Sequence, residues 1–269
     1  MARLTRWLLA TGLMLATTAC SGKEGGDSSG SGNDGPDTGD TGEGGDGGTI
    51  EAVYPTTDMD RVLLYYGSGG FEPTSSKGLF DEFDDHIKTT FGWNTDHRSS
   101  WTDDMTGYRM VGMVALGHDG GEDLDATQIE GLKAALAVGT RVVFLADRES
   151  CGSSVMANTL SALGSSMGYT GDSADANQLV LATDLGSSQL TEGLSTVTFK
   201  EPCFVNSTGG SRDINHIDYV VGASQRPATG GDIVVLGDFQ ALDDSGYLSN
   251  DSYDNRAFAE NLVKVDPAF

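Results

Sequence analysis

The stretch VGMVALGHDGGEDLDATQIEGLKAALAVGTRVVFLAD, residues 111–147, decides the fold. It carries most of an apolar run that begins at Tyr108 and ends at Gly117, and it closes on a second run, RVVFLAD, at 141–147. Runs this short, rich in Val and Leu and lacking polar alternation, are what a strand buried on both faces requires. Between them Ile129, Leu132 and Leu136 recur at helical spacing, with Asp125 placed as an N-cap and Gly139 as a stop. A strand, a helix and a second strand in immediate succession form a crossover unit, which makes the two strands parallel.

The alternation continues on both sides. RVLLYYG (61–67) reads as another buried strand, and SSKGLFDEFDDHIKTTFG (75–92) sets Leu79, Phe80, Phe83, Ile87 and Phe91 at helical spacing before Gly92. Towards the C-terminus come a helix near 154–167 and strands at QLVLATD (178–184), STVTF (195–199) and HIDYVVGA (216–223). DIVVLGD (232–238) and a closing helix, NRAFAENLVKV (255–265), follow. The pattern predicts an α/β fold over residues 50–269: one doubly wound, mostly parallel sheet with helices on both faces.

The N-terminus reads as an address. Arg3 and Arg6 precede the apolar stretch WLLATGLMLA, which is too short to stay in a membrane as a spanning helix. TTAC then leads small residues into Cys20 and resembles the lipobox of bacterial lipoproteins, with Thr17 where that motif usually has Leu. The resemblance implies lipidation at Cys20. Ser21, in place of the Asp associated with inner-membrane retention, implies the outer membrane of a Gram-negative cell envelope. An ordinary secretory peptide cut near Ala19 is the alternative. Residues 21–49 hold no large apolar side chain and read as a disordered acidic tether. Its Asp-Gly repeats lack the apolar residues that build stacked calcium sites.

With 269 residues and a formal net charge of −24, the chain offers nothing basic enough to replace the counterions of a nucleic acid. The partners expected are the membrane, through the N-terminal lipid, and an envelope protein or glycan. GSGG (67–70) lacks the Lys-Ser/Thr ending of a phosphate loop, and no cofactor is expected. Of three cysteines, Cys20 goes to lipid, which leaves Cys151 and Cys203 as a disulfide pair in an oxidising compartment.

Three phrases carry a family resemblance. The unit at 111–147, QLTEGLSTVTF (189–199) and GDIVVLGDFQAL…LSN…DNRAFAENLV together resemble class I glutamine amidotransferase-like domains. The likeness is to the non-catalytic relatives found in gliding and ABC-transport-associated proteins and in intraflagellar transport proteins, with Gln189 and Leu190 replacing the usual start of the second phrase. In the amidotransferases a nucleophilic Cys occupies the turn after the strand matching RVVFLAD. Here that turn carries Ala146 and Asp147, and no His-x-Glu pair closes the chain, since His216 is followed by Ile217 and Asp218. The resemblance therefore implies the fold without the triad.

Candidate site residues gather at the carboxyl ends of the strands, where open α/β sheets meet ligands. Ser68, His118, Asp119, Asp147, Arg148 and Asp238 belong to that edge. Either they form a pocket, with His118, Asp147 and Asp238 available for acid–base hydrolysis, or the acids cap helices and loops. Cys151 is an alternative nucleophile, with His118 or His216 as base. Asp243, Asp244, Asp251 and Asp254 are weak calcium candidates because their spacing departs from an EF-hand. Trp93 and Trp101, in the polar stretch 91–104, are read as core residues, with stacking on a glycan as the alternative.

Overall fold

The computed structural model describes residues 55–56, 58–70, 79–244, 247–248 and 250–265; the leader, the tether and Cys20 lie outside them. The first strand, β1 (Arg61–Tyr65), is followed by α1 (Asp81–Phe91) and a polar strand, β2 (Asn94–Arg98). Next come β3 (Met110–Val114), α2 (Ala126–Ala137), β4 (Arg141–Leu145) and α3 (Ser154–Ala162). The strands β5 (Gly168–Ser173), β6 (Leu179–Ala182), β7 (Asp184–Leu185), β8 (Val197–Lys200) and β9 (Cys203–Asn206) are short. A hairpin of β10 (Ser211–His216) and β11 (Tyr219–Gln225) precedes β12 (Asp232–Leu236) and α4 (Asn255–Val263).

One eight-stranded sheet runs in the order β2-β1-β3-β4-β12-β11-β10-β7. Its first five strands are parallel and its last three pair antiparallel. Side chains alternate between two cores, so that on β1 Val62 and Leu64 point to one and Leu63 and Tyr65 to the other. Phe83 and Ile87 of α1 and Phe258 and Leu262 of α4 fill the first core. Leu132 and Leu136 of α2 and Met156 and Leu160 of α3 fill the second. Helices therefore cover both faces, as the continuous apolar strands demand.

Local chemistry explains the helix ends. Asp125 and Gln128 form a reciprocal capping box, with Gln128 N–H donating to Asp125 Oδ1 at 2.9 Å and Asp125 N–H to Gln128 Oε1 at 2.8 Å. At the start of α1 the cap comes from far away: Glu82 N–H donates to Asp244 Oδ1 at 2.8 Å. Cys151 and Cys203 are disulfide-bonded across 52 residues, tying the start of α3 to β9. Closing a loop of that size contributes about 4 kcal/mol by the chain-entropy relation.

Two sequence expectations need correction, and one strand was not anticipated. Leu179–Ala182 of QLVLATD and Val197–Phe199 of STVTF do not enter the main sheet; β6 and β8 pair as a separate antiparallel ribbon against the first core, while Asp184 joins the main sheet in β7. The ribbon's one-sided burial explains the difference, with Val180 and Ala182 inward and Leu179 and Leu181 exposed. HIDYVVGA is not one strand: His216 ends β10, and the chain turns at Ile217 (φ +54°) and Asp218 before β11. The polar stretch 91–104 contains β2, an edge strand parallel to β1, whose half-exposed position permits its polar sequence.

Candidate functional site

The three central parallel strands end level. In register, Val114 of β3 lies opposite Leu145 of β4, and Leu145 opposite Leu236 of β12. The ladder continues one step further, with Ala115 N–H bonded to Leu145 O and Ala146 N–H to Leu236 O at 3.0 Å. The residues that follow must therefore emerge side by side, which places His118, Asp147 and the turn at Asp238–Gln240 on one edge.

His118 is aimed by a tight turn in which Ala115 (φ +46°) and Gly117 (φ +77°) are left-handed. Asp147 has its main chain locked by Ser150: Asp147 N–H donates to Ser150 Oγ and Ser150 N–H to Asp147 O, both at 2.8 Å. Its carboxylate is left to meet His118, with Oδ2 at 2.8 Å from Nδ1. Across the ring, Nε2 lies 3.7 Å from Asp119 Oδ1. The Glu149 carboxyl, two residues on from Asp147, lies within 4.8 Å of the His118–Asp147 pair. Burial, followed by that contact with Glu149, pushes Asp147 up to about 6, while the same contact draws Glu149 down.

These groups open on a cavity of about 330 Å³, whose wall is completed by Lys200, Glu201, Phe239 and Gln240. Lys200 and Glu201 arrive from the turn between β8 and β9, and Glu201 sits at φ +56° with its carboxylate accepting the Asn177 N–H. A larger cavity, about 570 Å³, lies at the opposite end of β4 and β12. Its charges are structural: Arg141 donates to the Asn261 and Leu262 carbonyls of α4 and, with Arg226, pairs with Asp232.

The candidates from the sequence separate into groups. His118 and Asp147 line the cavity, with exposed Asp119 at its rim. Arg148 pairs with Glu201 at 3.4 Å. Ser68 contributes only backbone, accepting from Gly117 N–H at 3.1 Å. The loops at 67–70 and 117–121 interlock there, so a Cβ on Gly69 would lie 1.5 Å from the Gly120 carbonyl oxygen. The crevice between β1 and β3, where the strand order reverses, is filled by this contact. Asp238 is 1% exposed, and its two oxygens accept Lys200 N–H at 2.6 Å and Gln240 N–H at 2.9 Å. Burial holds it well above the usual carboxylate range. It is a cap that ties β8 to the turn after β12.

The remaining residues lie elsewhere. His216 bonds to the Leu181 carbonyl at the hairpin turn. Cys151 and Cys203 are joined to each other, and the turn after β4 carries Asp147 in extended backbone. Asp244 caps α1, while Asp254 accepts the Ser195 and Thr196 N–H groups. Asp243 is buried and Asp251 exposed. Trp93 stacks on Phe91 against the first core, and Trp101 meets Tyr65 edge-on at the second. The two tryptophans face opposite sides of the sheet and form no common stacking platform. Glu149, Lys200, Glu201 and Gln240 were not legible as site residues, although the acids at 147 and 149 directly after a buried strand were an available signal.

No sequence-family model matches the chain, and no curated protein does. Among solved structures, the mmIFT52 N-terminal domain superposes on 76% of this chain and 98% of its own, with a TM-score of 0.58 at 13% identity. The cytoplasmic protein STM1381 from Salmonella typhimurium LT2 covers the same shares with a TM-score of 0.55 at 10% identity. The cytoplasmic protein STM3548 from Salmonella typhimurium covers 75% of this chain and 97% of its own, with a TM-score of 0.50 at 8% identity. At such identities the likeness shows the fold alone, a mostly parallel α/β sheet with helices on both faces.

Proposed function

We propose that this protein is a non-catalytic glutamine amidotransferase-like domain that works by binding at the cell envelope, held to the outer membrane by a lipid on Cys20. The observation that carries the reading is the turn after β4. Where amidotransfer needs a thiol, the chain has Asp147 engaged with His118, and both cysteines of the domain are joined to each other. The acidic tether suits a domain held clear of a membrane surface. Metabolic labelling with an alkynyl fatty acid tests the anchor. Label on the wild type, its loss in Cys20→Ser and outer-membrane fractionation support it; an unlabelled, freely released wild type overturns it.

A second reading, an envelope hydrolase, is favoured by one observation: His118 and Asp147 are in contact beside a cavity. Chromogenic esters and glycosides separate the two readings. Turnover that collapses in His118→Ala makes the domain a hydrolase, and rates equal to buffer in both proteins leave it a binding domain.

A further inference from the structure

His118, Asp147 and Glu149 each present one donor atom within 4.8 Å of the others, which makes them the group with coordinating geometry among the described residues. We propose that these three residues hold a single first-row divalent cation of the zinc or manganese type. The proposal deepens the binding reading by naming the ligand class of the same site.

The geometry is that of a coordination shell. Around an ion bound at about 2.0–2.1 Å, adjacent ligands at right angles stand about 2.9 Å apart and opposite ones about 4.2 Å. His118 Nδ1 and Asp147 Oδ2 are 2.8 Å apart, which matches adjacent positions, and the Glu149 donor lies within 4.8 Å of both residues' donor atoms, close enough for a small side-chain adjustment to bring it onto the same ion. Each donor also stands on fixed backbone. His118 follows a turn with two left-handed residues, and Asp147 and Glu149 flank Arg148 in a turn locked by Ser150.

The donor chemistry selects the ion. Two carboxyl groups and an imidazole brought within 4.8 Å concentrate donor atoms and negative charge at one point, and a chain of net charge −24 adds a favourable long-range field for a cation. The imidazole nitrogen argues against calcium and magnesium, which take oxygen shells, and for ions that accept mixed nitrogen and oxygen donors. Asp119 Oδ1, 3.7 Å from His118 Nε2, adds negative charge on the ring edge away from Nδ1. The cavity leaves the outer coordination positions open to water or to a ligand group. Lys200 on the same wall favours an anionic group there, so a carboxylate or phosphate is the class of second ligand the site would admit.

Calorimetric titration of the chelator-treated full chain with Zn²⁺, alongside Mn²⁺ titration followed by electron paramagnetic resonance, tests the proposal. The expected result is one ion per chain, with affinity reduced at least tenfold in His118→Ala and in Glu149→Gln and unchanged in Asp172→Asn. Glu149 is exposed, so its variant keeps the experiment readable if His118→Ala does not fold. Failure to bind either ion at millimolar concentration, or binding equal in wild type and Glu149→Gln, overturns it. Either failure leaves the anchor and the thiol-free reading standing, because neither depends on a metal.

Discussion

Asp147 and His118 stand 2.8 Å apart just beyond the ends of adjacent parallel strands, with Asp147 in the turn directly after β4. The carboxylate in that turn meets an imidazole carried by the neighbouring strand. With Glu149 they form a polar cradle of one imidazole and two carboxyl groups.

That cradle has a stability cost with a defined sign. In metal-free folded protein burial raises Asp147 to about 6, whereas the unfolded chain releases its proton near 3.8. Between these values the native state binds more protons, so stability falls as pH rises through that window and stays low above it. The depressed Glu149 acts oppositely, at lower pH. In chelator, Asp147→Asn is expected to gain about 1–2 kcal/mol at pH 7.5 and to flatten the slope between pH 4 and 6. Urea unfolding across pH checks this, and a destabilised variant with the wild-type slope would contradict it.

Asp238 should behave as architecture. Removing its carboxylate in Asp238→Ala leaves the Lys200 and Gln240 N–H groups without their acceptor at a buried position. The expected loss is about 2–4 kcal/mol, read from denaturant midpoints. Cation binding by the remaining folded fraction should be unchanged, because Asp238 does not line the cavity.

The interlocked loops leave no room for a side chain. Gly69→Ala puts a methyl group into the Gly120 carbonyl at φ +68°. A loss of more than about 3 kcal/mol, or failure to accumulate as soluble protein, is expected. Gly107→Ala, at a position with nothing within 4 Å of its added Cβ, is the matched control and should be near neutral by thermal melting.

The disulfide gives a fourth test. Oxidised, native protein should show no reactive thiol in the domain, and unfolding with reductant should release two. The double variant Cys151→Ala/Cys203→Ala is expected to lose about 2–4 kcal/mol of stability. One labelled cysteine per native domain would be the opposing result.

Legibility followed burial. Strands β1, β3, β4 and β12 and helix α2 were readable because both faces of each strand, or one full helical stripe, are apolar. Edge strand β2 was hidden because NTDHR needs only backbone pairing, and β5 because GYTGDS carries no apolar alternation. His118 and Asp147 followed from the rule that open sheets bind at their carboxyl edge. Lys200 and Glu201 could not, since they belong to a ribbon folded over that edge from outside the parallel sheet. Ser68 was placed by the same rule and proved to be packing, because only coordinates reveal that two glycine-rich loops occupy the same crevice.

The central claim is that the turn after β4 has no covalent amidotransferase chemistry. Intact-mass measurement after incubation with a diazoketone analogue of glutamine tests it most directly. The account predicts an unmodified mass with the Cys151–Cys203 bond retained. A stoichiometric adduct mapping to residues 145–151 would contradict it.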